Sequence, residues 1–158
     1  MRLILPILLI ISFPAFCQED EKIMEPIRMI FAGMEKGDSA MVRRAFHPSL
    51  TFQSVSKDAN GQNQLKGSTL KAFLTAIGTP HAEPYHELIW APQIQVDGSF
   101  AQVWTPYAFY MGKTFHHCGV DAYHLFKDND GKWKIFNLTD TRWKDGCVVP
   151  EEVKAKMK

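Results

Sequence analysis

Asp121 and His117 are the side chains of this sequence best suited to proton transfer, and they stand four positions apart in the segment HHCGVDAYHLF. Residues an even number apart on a β-strand share a face, and these two would lie roughly 13 Å apart. A carboxylate in an apolar cavity has its pKa raised by desolvation and becomes a candidate base near neutral pH. The pair therefore predicts a catalytic site with room for a small ring between the two groups. The alternative is a structural Asp121 held by backbone donors or by Arg142.

Five further side chains are candidate ligand contacts, because they combine apolar walls with convergent polar groups on one predicted face: Trp90, Tyr107, Tyr123, Asp140 and Arg142. The tyrosines can donate to a carbonyl or an anion, although strand tyrosines are more often core residues with a satisfied hydroxyl. Asp140 and Arg142 are expected to form an ion pair at the pocket mouth. Such pairs are weak evidence for activity, so structural pairing is the favoured interpretation.

Other kinds of site lack their sequence signals. His86 and His117 fall on one predicted face and His116 and His124 on the other, and neither a zinc-binding motif nor a paired-cysteine spacing is present, so no metal is expected. No G-x-S-x-G motif or well-placed Cys/His nucleophile supports hydrolysis. The formal net charge is +1 without a basic stripe, which argues against nucleic acid as a partner. No cofactor is expected.

The elements that position these residues are four runs rich in β-branched and aromatic residues between Glu87 and Arg142. Three short turn signals separate the runs, which is typical of an antiparallel meander. The turn residues set the registers, and a slip of one residue would move every following side chain to the other face. The predicted pairs next to the turns are Val96 with Ser99, Tyr110 with Thr114, and Lys127 with Lys132.

These registers sort the side chains of the meander onto two faces. The first face collects the site candidates named above, together with His86, Leu88 and Phe136. The second face collects Ile89, Trp104, Val120, Phe126, Trp133 and Ile135. Both faces are too apolar for water, so we expect one to pack against helices and the other against a second copy of the chain in a homodimer.

The N-terminal half reads as helices around one short strand. Apolar residues recur at helical spacing from Ile23 to Met34, and Gly37 ends that helix. Asp38 is the predicted N-cap of a second helix, and Leu50–Val55 reads as a strand. Residues 57–67 are predicted to form a polar loop, and Ser68 to cap a third helix. Helices on one side of a mostly antiparallel sheet make an α+β domain.

The two ends of the chain carry separate expectations. Residues 1–17 read as a secretory signal peptide, because one positive charge precedes a short apolar run and the small residues Ala15 and Cys17. Cleavage after Cys17 is favoured over a lipoprotein anchor there, because bulky Phe16 fits lipoprotein processing poorly. The mature chain is then periplasmic or secreted, with no membrane association. Residues 18–150 form a single domain, and residues 151–158 a charged, solvated tail.

Cys118 and Cys147 remain after cleavage, and export makes a disulfide chemically allowed. The predicted register places Cys118 opposite Thr141, so the chain beyond Arg142 would have to curl back to bring Cys147 near. A disulfide and two separate thiols both stay open.

The order of elements and the segments FHPSLTF, VWTPYAFYMGK, HHCGVDAYHLF and GKWKIFNLTDTR resemble the nuclear transport factor 2-like superfamily. Among its members, the chain is similar to exported bacterial proteins labelled putative lumazine-binding or polyketide-cyclase-like. The resemblance implies a cone-shaped, curved sheet wrapped by helices around a pocket, often dimeric through the outer face of the sheet. Asp121 and His117 match the acid and histidine of cyclase- and dehydratase-like relatives. The first helix lacks the pocket-facing tyrosine of the steroid-isomerase pattern.

Two functions follow as hypotheses. The first is a pocket for a small, partly apolar ligand, with proton-transfer chemistry of the isomerase, dehydratase or cyclase kind. The second is a non-catalytic structural or protein-interaction module whose cavity is filled by its own side chains. The volume of the cavity discriminates between them.

Overall fold

The computed structural model describes residues 15–157. Its helices are α1 Ala15–Lys36, α2 Ser39–Ala45, α3 Leu70–Gly78 and α4 Glu151–Lys154, the last continued by a 3-10 turn at Ala155–Met157. Its strands are β1 Phe46–Lys57, β2 Asn63–Ser68, β3 Tyr85–Ile89, β4 Gln93–Asp97, β5 Phe100–Met111, β6 Thr114–Lys127 and β7 Trp133–Arg142. Residues 1–14 of the predicted signal peptide lie outside the described residues.

The end of α1 and the start of α2 lie where the sequence chemistry predicts, but α1 begins at Ala15, before the predicted start at Ile23. The apolar stripe of α1 is buried, and Gly37 follows the helix with φ +65°, a conformation that glycine adopts without strain. The Asp38 carboxylate accepts from the Met41 amide at 2.8 Å and caps α2. The cap of α3 is Thr69, one residue later than predicted. None of the helices in residues 15–157 is long and apolar enough to cross a membrane.

The strands form one sheet in the order β2-β1-β7-β6-β5-β3, with β4 paired to the other half of β5. All pairings are antiparallel except that of β1 with β7. The segment predicted as a polar loop contains β2, which folds back on β1 as a hairpin. The sequence did not predict this strand, because an edge strand of mostly polar, exposed residues lacks the alternation of apolar and polar side chains that indicates a strand. The predicted α+β class with a curved, mostly antiparallel sheet is confirmed.

The first two hairpin turns pair different residues from those predicted, but the strands that they join keep their predicted faces. The β4–β5 turn is centred on Gly98, so that Asp97 pairs with Phe100, a slip of two residues. The β5–β6 turn is shorter than predicted, with Met111 opposite Thr114, and a bulge nearby restores the expected parity. Because side chains alternate with period two, the residues beyond the bulge keep their predicted face. His116 is the exception: it was expected on the face opposite to His117, but at the bulge it lines the cavity beside His117.

The β6–β7 hairpin contains two irregularities that cancel. Lys127 pairs with Trp133 rather than Lys132, which turns Trp133 and Ile135 toward the core, where both are buried. A bulge between His124 and Leu125 then returns the following residues of β7 to the predicted face. The predictions for Trp133, Ile135 and Phe136 are therefore wrong, and those for the residues from Leu138 to Arg142 are right.

The first run of the predicted meander is broken in two at Ala91, which has φ +44°. Across this break the register against β5 changes by one residue, since Ile94 pairs with Val103 but Ile89 pairs with Tyr107. The predicted face of this segment is wrong as a result. Tyr85, Glu87 and Ile89 lie on the concave face, and His86, Leu88 and Trp90 lie on the opposite one.

The main core lies between the concave face of the sheet and the helices. On the outer face, Trp104 is 50% exposed and Phe126 40% exposed, and Val120 is half-buried. Ile89 and Ile135, which were expected there, pack on the concave side. The apolar outer face is therefore smaller than predicted, and the homodimer stays a prediction.

Cys118 and Cys147 form a disulfide, which settles the alternative left open by the sequence. The bridge fastens the chain after β7 to the outer face of the sheet. A second apolar cluster forms there, in which Val149 and Val153 pack with Ala108 and Cys118. Residues 151–157 form α4 and the 3-10 turn; Val153 is buried in this cluster against the expectation of a solvated tail, while the charged side chains from Glu151 to Lys156 are exposed as expected.

Candidate functional site

A cavity of about 280 Å³ opens between the concave face of the sheet and the inner faces of α1 and α3. The helices contribute only apolar side chains to it, and the polar groups come from the sheet. The lining residues are Ile30, Phe31, Met34, Phe52, Phe73, Ala76, Ile77, Tyr85, Glu87, Phe109, Met111, His116, His117, Asp121, Tyr123, Leu138, Asp140 and Arg142. This is the combination of apolar walls and a few polar groups that small-molecule sites use.

Three carboxyl groups meet on the sheet side of the cavity. Asp121 and Asp140 are direct partners on β6 and β7, and they are 3% and 5% exposed. Glu87 reaches them from β3 and forms a hydrogen bond with Asp121. Buried carboxylates repel one another and are poorly solvated, so each needs a counter-charge, a donor or a proton.

Asp140 has donors and a counter-charge. The Arg142 guanidinium donates from Nε to Oδ2 at 2.6 Å, and the Ser54 hydroxyl donates to Oδ1. The Tyr107 hydroxyl lies 3.4 Å from Oδ2 and donates its shorter bond, 2.8 Å, to the carbonyl of Thr141. With an arginine and a serine as partners, the Asp140 carboxylate is held in one position as a fixed part of the site.

Asp121 and Glu87 differ from Asp140, because no cation of residues 15–157 forms an ion pair with either carboxyl group. Burial raises the pKa of Asp121 to about 7, while the Tyr123 hydroxyl, donating to Oδ2 at 2.8 Å, opposes the rise. Burial and the charge of Asp121 raise the pKa of Glu87 well above its ordinary range. Glu87 is accordingly the proton donor of the pair and Asp121 the acceptor. With the pKa of both groups raised, the pair retains a proton at a pH where exposed carboxyl groups have released theirs.

His117 lies further along β6 and is a neutral imidazole. Burial, and then the charges of Arg142 and His116, lower the pKa of His117 to about 4. Its Nδ1 lies 2.7 Å from Nδ1 of His116, so one ring must donate and the other accept. The ring packs against Tyr107 and Phe109. His117 can therefore donate or accept a hydrogen bond at the apolar end of the cavity, but it carries no charge there.

The structure brings five of the seven predicted site residues to the cavity: Asp121, His117, Tyr123, Asp140 and Arg142. Tyr107 lies behind the carboxyl groups, buried and bonded to the Thr141 carbonyl. Trp90 lies on the opposite face, in the cluster around Cys118, because of the register change at Ala91. Its predicted place on the pocket face is wrong.

Glu87 is the residue that the sequence reasoning missed, since the assumed continuous strand turned it outward. The dipeptide Ala91-Pro92 was the available signal, because proline restricts the residue before it and removes a backbone donor from a strand. Among the described residues, no group of three or more His, Cys, Asp or Glu side chains is arranged to hold a metal ion.

Comparison with known proteins places this fold and cavity in a family. The profile of the family described as "Putative lumazine-binding" matches residues 18–139. The chain belongs to this family. Its fold is that of solved nuclear transport factor 2-like proteins, as the sequence resemblance implied. No curated protein matches the sequence.

Solved structures of the superfamily share the fold. A nuclear transport factor 2-like protein of unknown function from Shewanella baltica OS155 is 21% identical over 84% of this chain and 100% of its own, with a TM-score of 0.64. A putative dehydratase from Streptomyces avermitilis is 13% identical over 82% of this chain and 99% of its own, with a TM-score of 0.63. A putative ketosteroid isomerase from Shewanella frigidimarina NCIMB 400 is 16% identical over 77% of this chain and 95% of its own, with a TM-score of 0.56. At these identities the likeness is one of fold.

Proposed function

We propose that this chain is an exported protein that binds a small, partly apolar ligand in its cavity, and that the Glu87–Asp121 pair transfers a proton on that ligand. The reaction class is that of an isomerase, dehydratase or cyclase. The observation that carries the proposal is the contact between the carboxyl groups of Glu87 and Asp121 on the wall of an apolar cavity, where burial raises the pKa of both.

The chemistry follows from the two environments of the carboxyl groups. The ionised Asp121 accepts a proton from carbon or oxygen of the ligand, and its raised pKa makes it a stronger base than an exposed aspartate. The protonated Glu87 donates a hydrogen bond to Asp121 in the resting site. It can return a proton to the ligand at a second position. Tyr123 orients the accepting carboxylate through its hydroxyl.

The positive charge of Arg142 contacts Asp140 and not the carboxyl groups of Glu87 and Asp121. Arg142 is held by Asp140, so the two charges compensate each other and leave the basicity of Asp121 largely intact. A direct contact between Arg142 and Asp121 would lower the pKa of Asp121 and weaken the base. The separation of the two pairs favours catalysis over purely structural ion pairing.

Two comparisons support a ligand-binding role. The family carries the description "Putative lumazine-binding", and structures with the same fold include proteins named as a dehydratase and a ketosteroid isomerase. The non-catalytic interaction module remains the second candidate. A cavity of about 280 Å³ favours a ligand over a pocket filled by its own side chains.

The test begins with native mass spectrometry of the protein purified from its own source, which identifies a retained ligand by mass. Turnover of that compound is then compared between the wild type and Asp121→Asn, which keeps the size of the side chain and removes the base. We expect turnover to fall by about 10²–10⁴-fold, the usual worth of a general base, and affinity to stay within about tenfold.

The pH dependence of the wild-type rate gives a second readout. A base acts when it is ionised, so kcat/KM should rise with pH and level off above about 7, following the raised pKa of Asp121. The exposed Asp97→Asn is the matched control and should leave the rate unchanged. If Asp121→Asn retains full turnover, the catalytic assignment is wrong and ligand binding alone remains.

A further inference from the structure

A second depression, which we call the side groove, adjoins the main cavity between α3 and the β1–β2 hairpin. It has a volume of about 460 Å³. Phe52, Phe73, Ala76 and Arg142 line both spaces, so they form the wall between them. A ligand larger than the main cavity would extend over this wall into the side groove.

The side groove differs from the main cavity in its chemistry. The polar residues that line it are two cations and three serines, and none of its described lining residues is acidic: Lys66, Arg142, Ser54, Ser56 and Ser68. Hydroxyl groups and cations together are what proteins use to hold a carboxylate, a sulfonate or a phosphate.

The registers place these groups side by side on the concave face. Lys66 of β2 is the direct partner of Ser54 on β1. Ser54 and Ser56 in turn pair with Asp140 and Arg142 on β7. Paired residues on neighbouring strands point to the same side, with strands about 4.8 Å apart. The two cations therefore flank the serines across two strand spacings.

Much of the donor capacity of these groups is unused within the described part of the chain. Arg142 donates from Nε to Asp140, and its two η nitrogens make no hydrogen bond there. The Lys66 ammonium makes no ion pair with any described residue. The Ser56 hydroxyl accepts from Gln64 and keeps its own proton to donate. The charge of Arg142 is compensated by Asp140, but that of Lys66 is not, which leaves the groove positive.

We propose that the side groove is an anion subsite, and that the ligand of this protein is an organic anion with an apolar body in the main cavity and its charged group between Lys66 and Arg142. This inference rests on the proposed function, because the same molecule must occupy the main cavity. It narrows the ligand class from a partly apolar molecule to an apolar acid.

Two fluorescent probes with the same ring system test the subsite. Anilinonaphthalene sulfonate carries an anionic group, and phenylnaphthylamine lacks it. Both are titrated into the wild type, Lys66→Gln, Lys66→Glu and the control Lys71→Gln. Lys71 is an exposed residue of α3 that does not line the groove. A fifth protein, Ala76→Phe, fills the shared wall from an exposed helix position and reports whether the probes bind inside.

We expect Lys66→Gln to weaken binding of the sulfonate by about two- to fivefold, the range of a partly exposed ion pair, and Lys66→Glu to weaken it further. Binding of the neutral probe should stay unchanged in both, and Lys71→Gln should change neither. High salt should reduce the difference between the wild type and Lys66→Gln. Ala76→Phe should lower the affinity of both probes.

The results that would overturn the inference are distinct from those that would overturn the proposed function. If Lys66→Gln leaves the sulfonate unchanged, or weakens both probes equally, the anion subsite is wrong and the ligand pocket stands. If Ala76→Phe leaves both affinities unchanged, the probes do not enter the cavity. The proposed pocket then fails, and the subsite fails with it.

Discussion

Replacing Asp121 by asparagine tests the electrostatics of the site without knowledge of the ligand. In the unfolded chain an aspartate has a pKa near its ordinary value of 3.8, and burial in the folded protein raises it to about 7. Between about pH 4 and pH 7 the folded state therefore holds a proton that the unfolded state has released. The wild-type free energy of unfolding should fall as the pH rises through this window.

The size of the effect follows from the two pKa values. At about 1.36 kcal/mol for each pKa unit, the difference between 3.8 and about 7 corresponds to about 4 kcal/mol. A single domain is usually stable by about 5–15 kcal/mol, so this contribution is large enough to measure directly. Glu87 acts in the same direction, since its pKa is also raised by burial and by Asp121.

Asparagine keeps the contacts of Asp121 and removes the charge. Its amide oxygen can accept from Tyr123, and its amide nitrogen can donate to Glu87. Near pH 5, about one unit above the ordinary pKa of an aspartate, we expect Asp121→Asn to be more stable than the wild type by only about 1–2 kcal/mol. Near pH 8.5 the variant should be more stable by about 3–4 kcal/mol, because it carries no buried charge.

The measurement is urea denaturation followed by tryptophan fluorescence between pH 5 and pH 9 at constant ionic strength, with the disulfide intact. Asp97→Asn, an exposed site, serves as the control and should follow the wild-type curve. A wild-type stability that is flat between pH 5 and pH 8 would refute the shared-proton arrangement. So would a variant that gains nothing at pH 8.5.

Three other predictions concern the scaffold. Gly119→Ala should lower the free energy of unfolding by about 1–3 kcal/mol, because its methyl group would overlap the Thr141 carbonyl. Urea denaturation beside Gly67→Ala, where the nearest atom is 4.0 Å away, measures this difference. Reducing the disulfide, which spans 29 residues, should cost about 3–4 kcal/mol on the chain-entropy account; Cys147→Ser should lose the response of Tm to dithiothreitol. Trp104→Glu should convert a homodimer into a monomer by light scattering, and a monomeric wild type at micromolar concentration would remove the outer-face interface.

Much of the fold was predictable because the sequence signals are local. Gly37, Asp38 and Gly98 each act through their own backbone conformation or a neighbouring amide, and the structure uses each of them near its predicted position. The faces of β5 and β6 also survived errors in the turns. A slip of two residues moves a pairing along the strand but leaves each side chain on its face.

What could not be predicted are changes of register by one residue within a strand. The bulge between His124 and Leu125 and the break at Ala91 depend on how the curved sheet meets the helices, and a single sequence carries little trace of that. On β7 the bulge offset the one-residue error in the predicted turn, so Asp140 lies on the predicted face. On β3 no second irregularity offset the register change at Ala91, so Glu87 was predicted on the wrong face.

The presence of Glu87 in the cavity changes the chemistry expected of the site. Burial alone raises the pKa of Asp121, but an isolated Asp121 would have no second carboxyl group beside it to hold a proton. With Glu87 as a neighbour, the first proton stays on the pair to a higher pH, while the acceptor oxygen remains available as a base. The site can thus hold an acid and a base together, as the proton-sharing carboxyl pairs of aspartic proteases do. The one-residue change of register at Ala91, which separates the edge strand β3 from β4, places the Glu87 carboxyl group in the cavity.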